Sequence, residues 1–338
     1  RKYPNAIIIV TGCYAQLQPQ QIAQIEGVDY VLGQNEKYSI TQLVNELCDS
    51  LENGVPPTGR PTGYSLEAQK IRVANIREVE EFHGVHSADD RTRCFIKVQD
   101  GCNYFCTYCT IPYARGKSRN PAISDIIKDA QEAISQGAKE IILTGVNIGD
   151  FGRSTGESFI DLLKALDSLE DGVPPIGRSQ SELQVRGYRL EGEEETKDYL
   201  VNDNIDNILI SHSFERLFPL ESTSSSGQDM KSKNTGYRIR ISSCEPNLLT
   251  DEIIDFVAHS KHFAPHFHIP LQSGSNEVLK IMKRRYTCEL FEERVKHIKQ
   301  VMPHAFIGVD CMVGVRGETE ECFNDYVEFI KRLDVSQL

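Results

Sequence analysis

The most informative residues of this chain are three cysteines, Cys102, Cys106 and Cys109, spaced as Cys-x3-Cys-x2-Cys. Ten cysteines scattered at random over 338 positions would produce this triplet roughly 0.009 times, so composition alone does not explain it. Three thiolates on one short loop can each bind one iron atom of a cubane [4Fe–4S] cluster. The fourth iron then lacks a protein ligand, which leaves it open to a chelating substrate such as S-adenosylmethionine.

A zinc site or a group of buried structural thiols are the alternative interpretations of the same residues. Zinc usually takes four protein ligands, typically from two separated pairs. Cys94 or His86 could supply a fourth ligand, but neither has the spacing of a zinc knuckle. The aromatic residues of the loop, Tyr104, Phe105 and Tyr108, would shield a cluster from water, or they could equally fill a core.

The composition is that of a globular protein whose thiols are reduced. The chain is 39% hydrophobic and 25% charged, which is ordinary for such proteins. The apolar run at residues 6–10 is far too short to span a bilayer, and no secretory signal is present. We therefore expect a cytoplasmic protein whose ten cysteines serve metal or redox chemistry. The net charge of −12 argues against broad binding to nucleic acid but allows a local basic groove.

Strand and helix patterns alternate along most of the chain, which predicts an α/β fold. The first part indicates a partial Rossmann-like domain, with strands at 6–12 and 29–32 and helices at 18–25 and 38–51. From residue 94 strands and helices alternate again, and this alternation predicts a partial parallel (β/α) barrel. Its strands are predicted at 94–98, 139–143, 238–242, 266–270 and 306–309, and its helices at 124–136 (N-cap Ser124), 158–169, 251–260, 277–283 and 319–333.

Two stretches interrupt this order and suggest domain boundaries. Residues 53–63 contain three prolines and three glycines, which indicates a linker. Residues from about 171 to 236 are acidic and rich in serine, and we interpret them as an inserted, largely irregular segment. The predicted organisation is therefore an N-terminal domain at 1–52, a linker at 53–87 and a core at 88–338 that carries the insert. Because the chain starts at Arg1 and ends without a capping signal, we expect a fragment of a longer protein.

Several of the predicted loops resemble those of the radical S-adenosylmethionine methylthiotransferase family. The strongest match is residues 100–116, DGCNYFCTYCTIPYARG. The others are VTGCYAQ at 10–16, LTGVNIGD at 143–150, HIPLQSGS at 268–275, MKRRY at 282–286 and GVRGET at 314–319. The resemblance covers nearly everything except the 179–236 insert and the 53–70 linker. It implies a radical SAM barrel and a transferase of alkylthio groups.

The resemblance also implies a reaction at C2 of a modified adenosine in tRNA. The family has three branches, and residues 144–149, 240–246 and 265–270 are most similar to the branch that acts on N6-threonylcarbamoyladenosine next to the anticodon. Methylthiolation of isopentenyladenosine in tRNA is the alternative within the family. An iron–sulfur electron carrier without transferase activity, or a zinc-dependent RNA-binding protein, are the alternatives outside it.

Family members carry a second [4Fe–4S] cluster on three further cysteines of the N-terminal domain, and Cys13 matches the third of these. The first two of these cysteines have no counterpart in this sequence. The small C-terminal TRAM β-barrel, which binds RNA in the family, has no counterpart either. We therefore expect a fragment with one complete ligand set, able to cleave S-adenosylmethionine but unable to complete thiolation. The implied partners are the tRNA anticodon loop and an electron donor such as flavodoxin or ferredoxin. We expect a monomer without a membrane association.

The resemblance assigns loop residues after the barrel strands to the S-adenosylmethionine site, and no residue to acid–base catalysis. A turn, a helix cap or close backbone packing is the plain alternative for each of them. The residues are Asn147, Gly149, Ser243, Glu245, Gln272, Ser273, Gly274, Gly314 and Gly317. The family usually has Phe-Pro where Val315 and Arg316 stand, which puts the packing there in doubt.

Two basic groups are candidates for contact with phosphates of the anticodon loop. They are Arg115, Lys117 and Arg119 after the cysteine loop, and Lys283, Arg284 and Arg285 further on. A basic helix end is often only a solvated face that suits the helix dipole. His266 and His268 lie on the same side of a predicted strand, where a hydrogen-bonded role in the barrel is favoured over metal binding.

Overall fold

Parallel strands at the centre of two α/β layers organise the chain, as the alternating pattern predicts. The computed structural model describes residues 6–52, 70–84, 92–169 and 236–338. The predicted insert at 171–236 and the Pro/Gly-rich stretch at 53–63 therefore lie outside the described residues. All of the described residues belong to one compact unit, which comprises Arg1–Pro174 and Thr235–Leu338.

The N-terminal layer is a parallel sheet of three strands, which lie side by side in the order of the sequence: Ile9–Thr11, Tyr30–Leu32 and Ile71–Arg72. The strand Ile71–Arg72 belongs to this sheet, although the sequence assigns residues 53–87 to a linker. The helix predicted at 18–25 corresponds to Pro19–Ala23, the second of two short helices on either side of Gln18, and the first, Cys13–Leu17, was not predicted. Pro19 opens the second of them and has no backbone N–H with which to continue the first. The elements are β1 Ile9–Thr11, α1 Cys13–Leu17, α2 Pro19–Ala23, β2 Tyr30–Leu32, α3 Ile40–Glu52 and β3 Ile71–Arg72.

The second layer is the predicted partial (β/α) barrel. Its first three strands pair in parallel, and its last two pair in parallel. Two isolated bridges, Ile239 with Phe263 and Ser243 with His268, join the two groups. The strands are β4 Arg93–Lys97, β5 Glu140–Thr144, β6 Arg238–Ile241, β7 His266–His268 and β8 Phe306–Gly308. The helices are α4 Ile111–Ala114, α5 Ile123–Ser135, α6 Phe159–Asp167, α7 Asp251–His259, α8 Asn276–Ile281, α9 Cys288–Val301 and α10 Glu320–Lys331.

Capping side chains set the start of several barrel helices. Thr250, Thr287 and Thr319 each accept a hydrogen bond from the backbone N–H three residues later, as Ser158 does in α6. Each such cap stabilises a helix by about 1 kcal/mol. Helix α9 was not predicted, although the cap at Thr287 and buried apolar residues at helical spacing mark it.

The predicted N-cap of α5 is wrong in detail. The helix begins at Ile123, one residue before the expected cap Ser124, and Ala122 at its N-cap offers no side-chain oxygen. The carboxylate of Glu157 replaces that oxygen and accepts a hydrogen bond from the Ile123 N–H at 3.1 Å. A distant side chain can satisfy a helix end in this way, and local sequence does not reveal it.

The barrel core explains why the functional loops share one edge. The central strand β5 is almost entirely buried, with Ile141 and Leu143 fully enclosed between helices. Because the strands are parallel, their carboxyl ends lie at the same edge, and the loops after them meet there. None of the helices in the described ranges has both the length and the apolar character needed to span a bilayer.

Candidate functional site

The cysteine loop follows β4 and packs as one group of side chains. Cys102 and Cys106 are buried, Cys109 is partly buried, and all three share a cluster with Tyr104. The backbone N–H of Tyr104 donates to Sγ of Cys102 at 3.4 Å, and that of Cys109 donates to the carbonyl of Cys106 at 3.0 Å. Burial raises the pKa of the Cys102 and Cys106 thiols, so their thiolate forms need a nearby cation. None of the ten cysteines forms a disulfide.

Asp100 closes the base of this loop. Its backbone N–H and C=O pair with Arg119 at 3.0 and 2.9 Å. Its buried carboxylate lies 3.5 Å from Lys97, 3.3 Å from Arg115 and 3.4 Å from Arg119. Burial alone would raise the pKa of Asp100, but the three cations hold it below its ordinary value. Arg119 is buried and committed to these contacts, so it holds the loop instead of offering its charge to RNA.

A glycine allows the two ends of the loop to approach each other. Gly101 has φ +71°, and a Cβ there would lie 2.0 Å from the carbonyl oxygen of Lys117. The next amide, of Cys102, donates to the carbonyl of Gly116 at 3.1 Å. The side chain of Lys117 is exposed, so among the three basic residues predicted after the loop it is the one that faces solvent.

The other side of the cysteine loop rests on the turn between α8 and α9. The N–H of Thr107 donates to the carbonyl of Met282 at 3.2 Å, and Arg285 donates to the carbonyl of Asn103 at 3.0 Å. The Arg285 guanidinium also stacks over the Tyr104 ring, 4.0 Å from its centre. Arg285 was predicted as an RNA contact, but here it braces the cysteine loop.

Arg284 also braces the cysteine loop, and its side chain is more buried than that of Arg285. It donates to the Glu245 carboxylate at 2.8 Å and also hydrogen-bonds the Tyr108 hydroxyl. Burial raises the pKa of Glu245, and the Arg284 charge opposes that rise. Arg284 and Glu245, predicted to contact RNA and cofactor respectively, therefore satisfy one another. Lys283 and Arg285 are both exposed, and of the two Arg285 also contacts the cysteine loop.

Gln99 is a central residue of the site that sequence reasoning missed. Its side chain is fully buried. Its Nε2 donates to the carbonyls of Asp100 and Gly101, while its Oε1 accepts from the amides of Val146 and Asn147 at 2.9 and 2.8 Å. It thereby ties the loop after β4 to the loop after β5. The sequence gives one weak indication of this role, which is the position of a glutamine just before a Cys-rich loop.

Asn147 offers an unsatisfied polar atom beside the cysteine loop. The side chain is 3% exposed, and its Oδ1 has no hydrogen-bond partner among the described residues. A buried oxygen of this kind costs free energy unless a ligand satisfies it, which favours the predicted cofactor contact. Packing explains why position 149 is a glycine, because a Cβ there would lie 2.5 Å from Cβ of Leu248.

Ser243 lies at the seam between β6 and β7. Its Oγ is 2.5 Å from Nδ1 of His268, which confirms a hydrogen-bonded role for this histidine. His266, two residues earlier, stacks against the Phe306 ring. Burial lowers the pKa of His266 to about 4, so this imidazole is neutral near pH 7.

The segment after β7 contains three predicted cofactor residues with different structural roles. Gln272 has φ +66°, and its Oε1 accepts from the Tyr108 hydroxyl at 3.1 Å. Ser273 is fully buried, and its Oγ accepts from the Ser275 amide at 3.2 Å. Gly274 allows close packing on α10, because a Cβ there would lie 2.9 Å from Cα of Tyr326. Gln272 is thus the member of this trio that touches the cysteine loop.

Gly314 and Gly317 form the turn after the last strand. Both have positive φ, +75° and +94°, and a Cβ at Gly314 would meet nothing within 4 Å. The Gly314 amide donates to the Glu318 carboxylate at 2.5 Å. These glycines permit a turn next to open space, and contact with a ligand stays a prediction for them.

Cys13 lies where the N-terminal layer meets the barrel. It begins α1 after Gly12, which has φ +120°. Burial alone would lower the pKa of Arg115, but the Asp100 carboxylate and a hydrogen bond with Cys13 raise it. The Cys13 thiol and the Asp100 carboxylate therefore flank the same guanidinium. Arg115, predicted as an RNA contact, thus lies between Asp100 and Cys13.

The donor set fits an iron–sulfur cluster better than a single metal ion. Within the described ranges, no three His, Cys, Asp or Glu side chains converge closely enough to hold one ion. A cubane needs no such convergence, because each thiolate binds a different iron atom. The three cysteines lie on a loop braced on both sides, next to the unsatisfied oxygen of Asn147, and this arrangement fits a cluster with a chelated substrate.

Comparison with known proteins agrees with this geometry. The profile of the Radical SAM superfamily matches residues 96–330, which include the three cysteines and all barrel strands after the first. Two solved structures show the same fold. The radical S-adenosylmethionine methyltransferase TsrM from Kitasatospora setae aligns with a TM-score of 0.57 and 16% identity, over 98% of this chain and 54% of TsrM. The cobalamin-dependent S-adenosylmethionine radical enzyme OxsB aligns with a TM-score of 0.51 and 13% identity, over 96% of this chain and 39% of OxsB.

Curated relatives match the chain along its whole length. It is 33% identical to threonylcarbamoyladenosine tRNA methylthiotransferase MtaB of Bacillus subtilis, over 100% of this chain and 58% of that protein. It is 30% identical to the Aquifex aeolicus MtaB, over 100% and 63%. A tRNA-2-methylthio-N(6)-dimethylallyladenosine synthase of Alkaliphilus oremlandii is 28% identical, over 98% and 54%. The chain therefore spans only about 54–63% of the length of these relatives.

Proposed function

The chain belongs to the radical SAM superfamily, and on that premise we propose that it is the radical-generating part of a tRNA methylthiotransferase. The observation that carries the proposal is the cysteine loop at the carboxyl edge of the barrel, braced by Asp100 on one side and by Arg284 and Arg285 on the other. Similarity along the whole chain to enzymes with this activity supports it.

Cys102, Cys106 and Cys109 would hold the [4Fe–4S] cluster. When bound, the cluster supplies the electron that cleaves the sulfonium C–S bond of S-adenosylmethionine. The chain contributes a partly buried loop that limits access of water, with the buried Tyr104 side chain packed against the cysteines. The Oδ1 of Asn147 would accept a hydrogen bond from a donor group of the bound substrate, which removes the cost of leaving that oxygen unsatisfied.

The proposed base is N6-threonylcarbamoyladenosine next to the tRNA anticodon, modified at C2. Relatives at 33% and 30% identity carry this specificity in their names, and a relative at 28% carries the dimethylallyladenosine specificity. Such a base must be presented unstacked, which is easier in a loop than in a duplex. The exposed Lys117 and Lys283 would meet backbone phosphates.

The complete reaction would need a second cluster besides the one on the cysteine loop. In our proposal Cys13 contributes to a second, sulfur-donating cluster in the N-terminal domain at 1–52, and the barrel core at 88–338 generates the radical. A flavodoxin or ferredoxin would supply electrons, and the protein would work as a monomer.

Anaerobic reconstitution tests the radical chemistry. Protein loaded with iron and sulfide should show the brown chromophore of a cluster and, once reduced, should convert S-adenosylmethionine to 5′-deoxyadenosine and methionine. Cys106→Ser should lose both, whereas Cys48→Ser, at an exposed cysteine on α3, should keep both. One bound zinc and no chromophore would contradict the proposal, and a chromophore without cleavage would leave an electron carrier.

A genetic experiment tests the substrate. Deletion of the full-length gene should remove the methylthio group from threonylcarbamoyladenosine in tRNA, as measured by mass spectrometry of nucleosides. A full-length copy with Cys48→Ser should restore it, and one with Cys106→Ser should not. Loss from isopentenyladenosine instead would assign the other branch.

A further inference from the structure

Ser243, His268 and Asp310 form a chain of contacts across the ends of three barrel strands. Oγ of Ser243 lies 2.5 Å from Nδ1 of His268, and Nε2 of the same ring lies 3.2 Å from Oδ1 of Asp310. Ser243 follows β6, His268 ends β7 and Asp310 follows β8. The three residues therefore sit at the carboxyl edge of the barrel, the edge that carries the cysteine loop.

The neighbouring backbone holds the imidazole in this position. The carbonyl of His268 accepts a hydrogen bond from the Cys244 amide at 3.0 Å, which anchors β7 to the segment after β6. His268 pairs with Gly308 in the β7–β8 register. A Cβ at Gly308 would lie only 3.2 Å from Cδ2 of the His268 ring, so the glycine leaves room for the imidazole.

These contacts decide which atoms carry protons. A carboxylate 3.2 Å from Nε2 requires the proton of a neutral imidazole on that nitrogen. Hydrogen bonding to His268 is the main cause that lowers the pKa of Asp310, which keeps this group a carboxylate. In the neutral ring Nδ1 is then an acceptor, and the Ser243 hydroxyl donates its proton to it. The free lone pair of the Ser243 oxygen is left to accept a hydrogen bond from a ligand.

We propose that His268 and Asp310 are positioning residues that hold the Ser243 hydroxyl as a hydrogen-bond acceptor for a hydroxyl or amino group of S-adenosylmethionine. The same arrangement disfavours the carboxylate of that substrate at Ser243, because the only serine proton is already donated. This inference rests on the proposed binding of S-adenosylmethionine at this edge of the barrel.

The proton positions can be tested without cluster or RNA. In protein labelled with 15N-histidine, long-range NMR correlations at pH 8 should show His268 as the neutral Nε2–H tautomer, with the signal assigned by its absence in His268→Gln. Ser243→Ala should keep that tautomer, and Asp310→Ala should admit the Nδ1–H form. A Nδ1–H tautomer or an imidazolium in the unmodified protein would overturn the proposal.

Binding of S-adenosylmethionine to the reconstituted protein tests the acceptor role. Ser243→Ala should weaken binding about three- to tenfold, the range expected for loss of one hydrogen bond. Asp310→Ala should weaken it in the same direction, and the double variant should bind no more weakly than Ser243→Ala alone. Asp310→Asn, which keeps an acceptor oxygen, should restore binding. Unchanged affinity in Asp310→Ala, or effects that multiply, would contradict the relay.

The chain provides a matched control for these variants. His297 and Asp255 form a similar pair, with Nε2 2.7 Å from Oδ1, on the outer helices α9 and α7. Asp255→Ala should change the NMR signals of His297 and leave both the His268 signals and S-adenosylmethionine affinity unchanged. If the unmodified protein fails to bind S-adenosylmethionine, the proposed function fails, while the NMR result still decides the proton positions.

Discussion

Arg284 donates a hydrogen bond to the carboxylate of Glu245 at 2.8 Å, although the two side chains are only 7% and 15% exposed. The guanidinium also contacts the Tyr108 hydroxyl, on the cysteine loop. The pair thus connects the loop after β6, the turn after α8 and the loop that carries Cys102, Cys106 and Cys109 in one network. A buried charge pair of this kind is costly to break on one side, because the remaining charge is left without a partner.

Arg284→Met should therefore destabilise the protein by about 3 kcal/mol, measured by urea unfolding of the reduced protein. Arg332→Met is the matched control, because Arg332 pairs with Glu292 at 3.2 Å but is 56% exposed. That exposed pair should contribute less than about 1 kcal/mol. Equal costs for the two variants would show that the Arg284 pair does not hold the site together.

Gly101→Ala should damage the cysteine loop more than an alanine at another left-handed glycine. Gly101 and Gly156 have similar φ, +71° and +79°, but a Cβ meets a backbone oxygen at 2.0 Å in the first case and nothing within 4 Å in the second. We expect about 1 kcal/mol for Gly156→Ala and about 3 kcal/mol for Gly101→Ala. Iron content after reconstitution should fall only in Gly101→Ala, and a loss in both variants would contradict the steric argument.

Gln99→Glu exchanges the donor end of a fully buried amide for an acceptor. Three hydrogen bonds from Nε2, to Asp100, Gly101 and Ser118, would be lost, while the shape of the side chain is kept. We expect a loss of about 2–4 kcal/mol in unfolding free energy and a lower cluster content. Gln300→Glu, at an exposed position near the end of α9, should change stability by less than about 0.5 kcal/mol.

Glu140 should make folding stability depend on pH in the acid range. Its carboxylate is buried and lies 2.6 Å from Arg240 and 3.2 Å from Arg238. Burial alone would raise the pKa of Glu140, but the hydrogen bonds and charges of these arginines lower it overall. A carboxyl group with a lowered folded-state pKa stabilises the protein above its unfolded-state pKa, and this stability is lost as pH falls through the folded-state value.

The test compares Glu140→Gln with the unmodified protein by urea unfolding between pH 7 and pH 3. The unmodified protein should be more stable by about 2 kcal/mol at pH 7, and the difference should shrink below about pH 4. Glu328→Gln, which removes the partner of Lys331 on an exposed surface, should show almost no difference at either pH. A difference that grows on acidification would have the wrong sign for this mechanism.

Sequence alone determined the fold class and the cysteine triplet, because both depend on local spacing. Alternating apolar runs predicted all of the described parallel strands except β3, with boundaries within a few residues. Cys102, Cys106 and Cys109 are close in the chain and therefore close in space. The same local reasoning did not predict α9, which the cap at Thr287 marks, or α1, which Pro19 separates from α2.

Only the tertiary structure decided which polar side chains serve the loop and which face solvent. Arg284 reaches Tyr108 across 176 residues, and Gln99 reaches Asn147 across 48. A basic residue looks alike in sequence whether its charge meets solvent, as for Lys117 and Lys283, or a buried partner, as for Arg284. The outcome depends on which groups the parallel strands bring to one edge of the barrel, because a buried charge persists only where the fold supplies its partner.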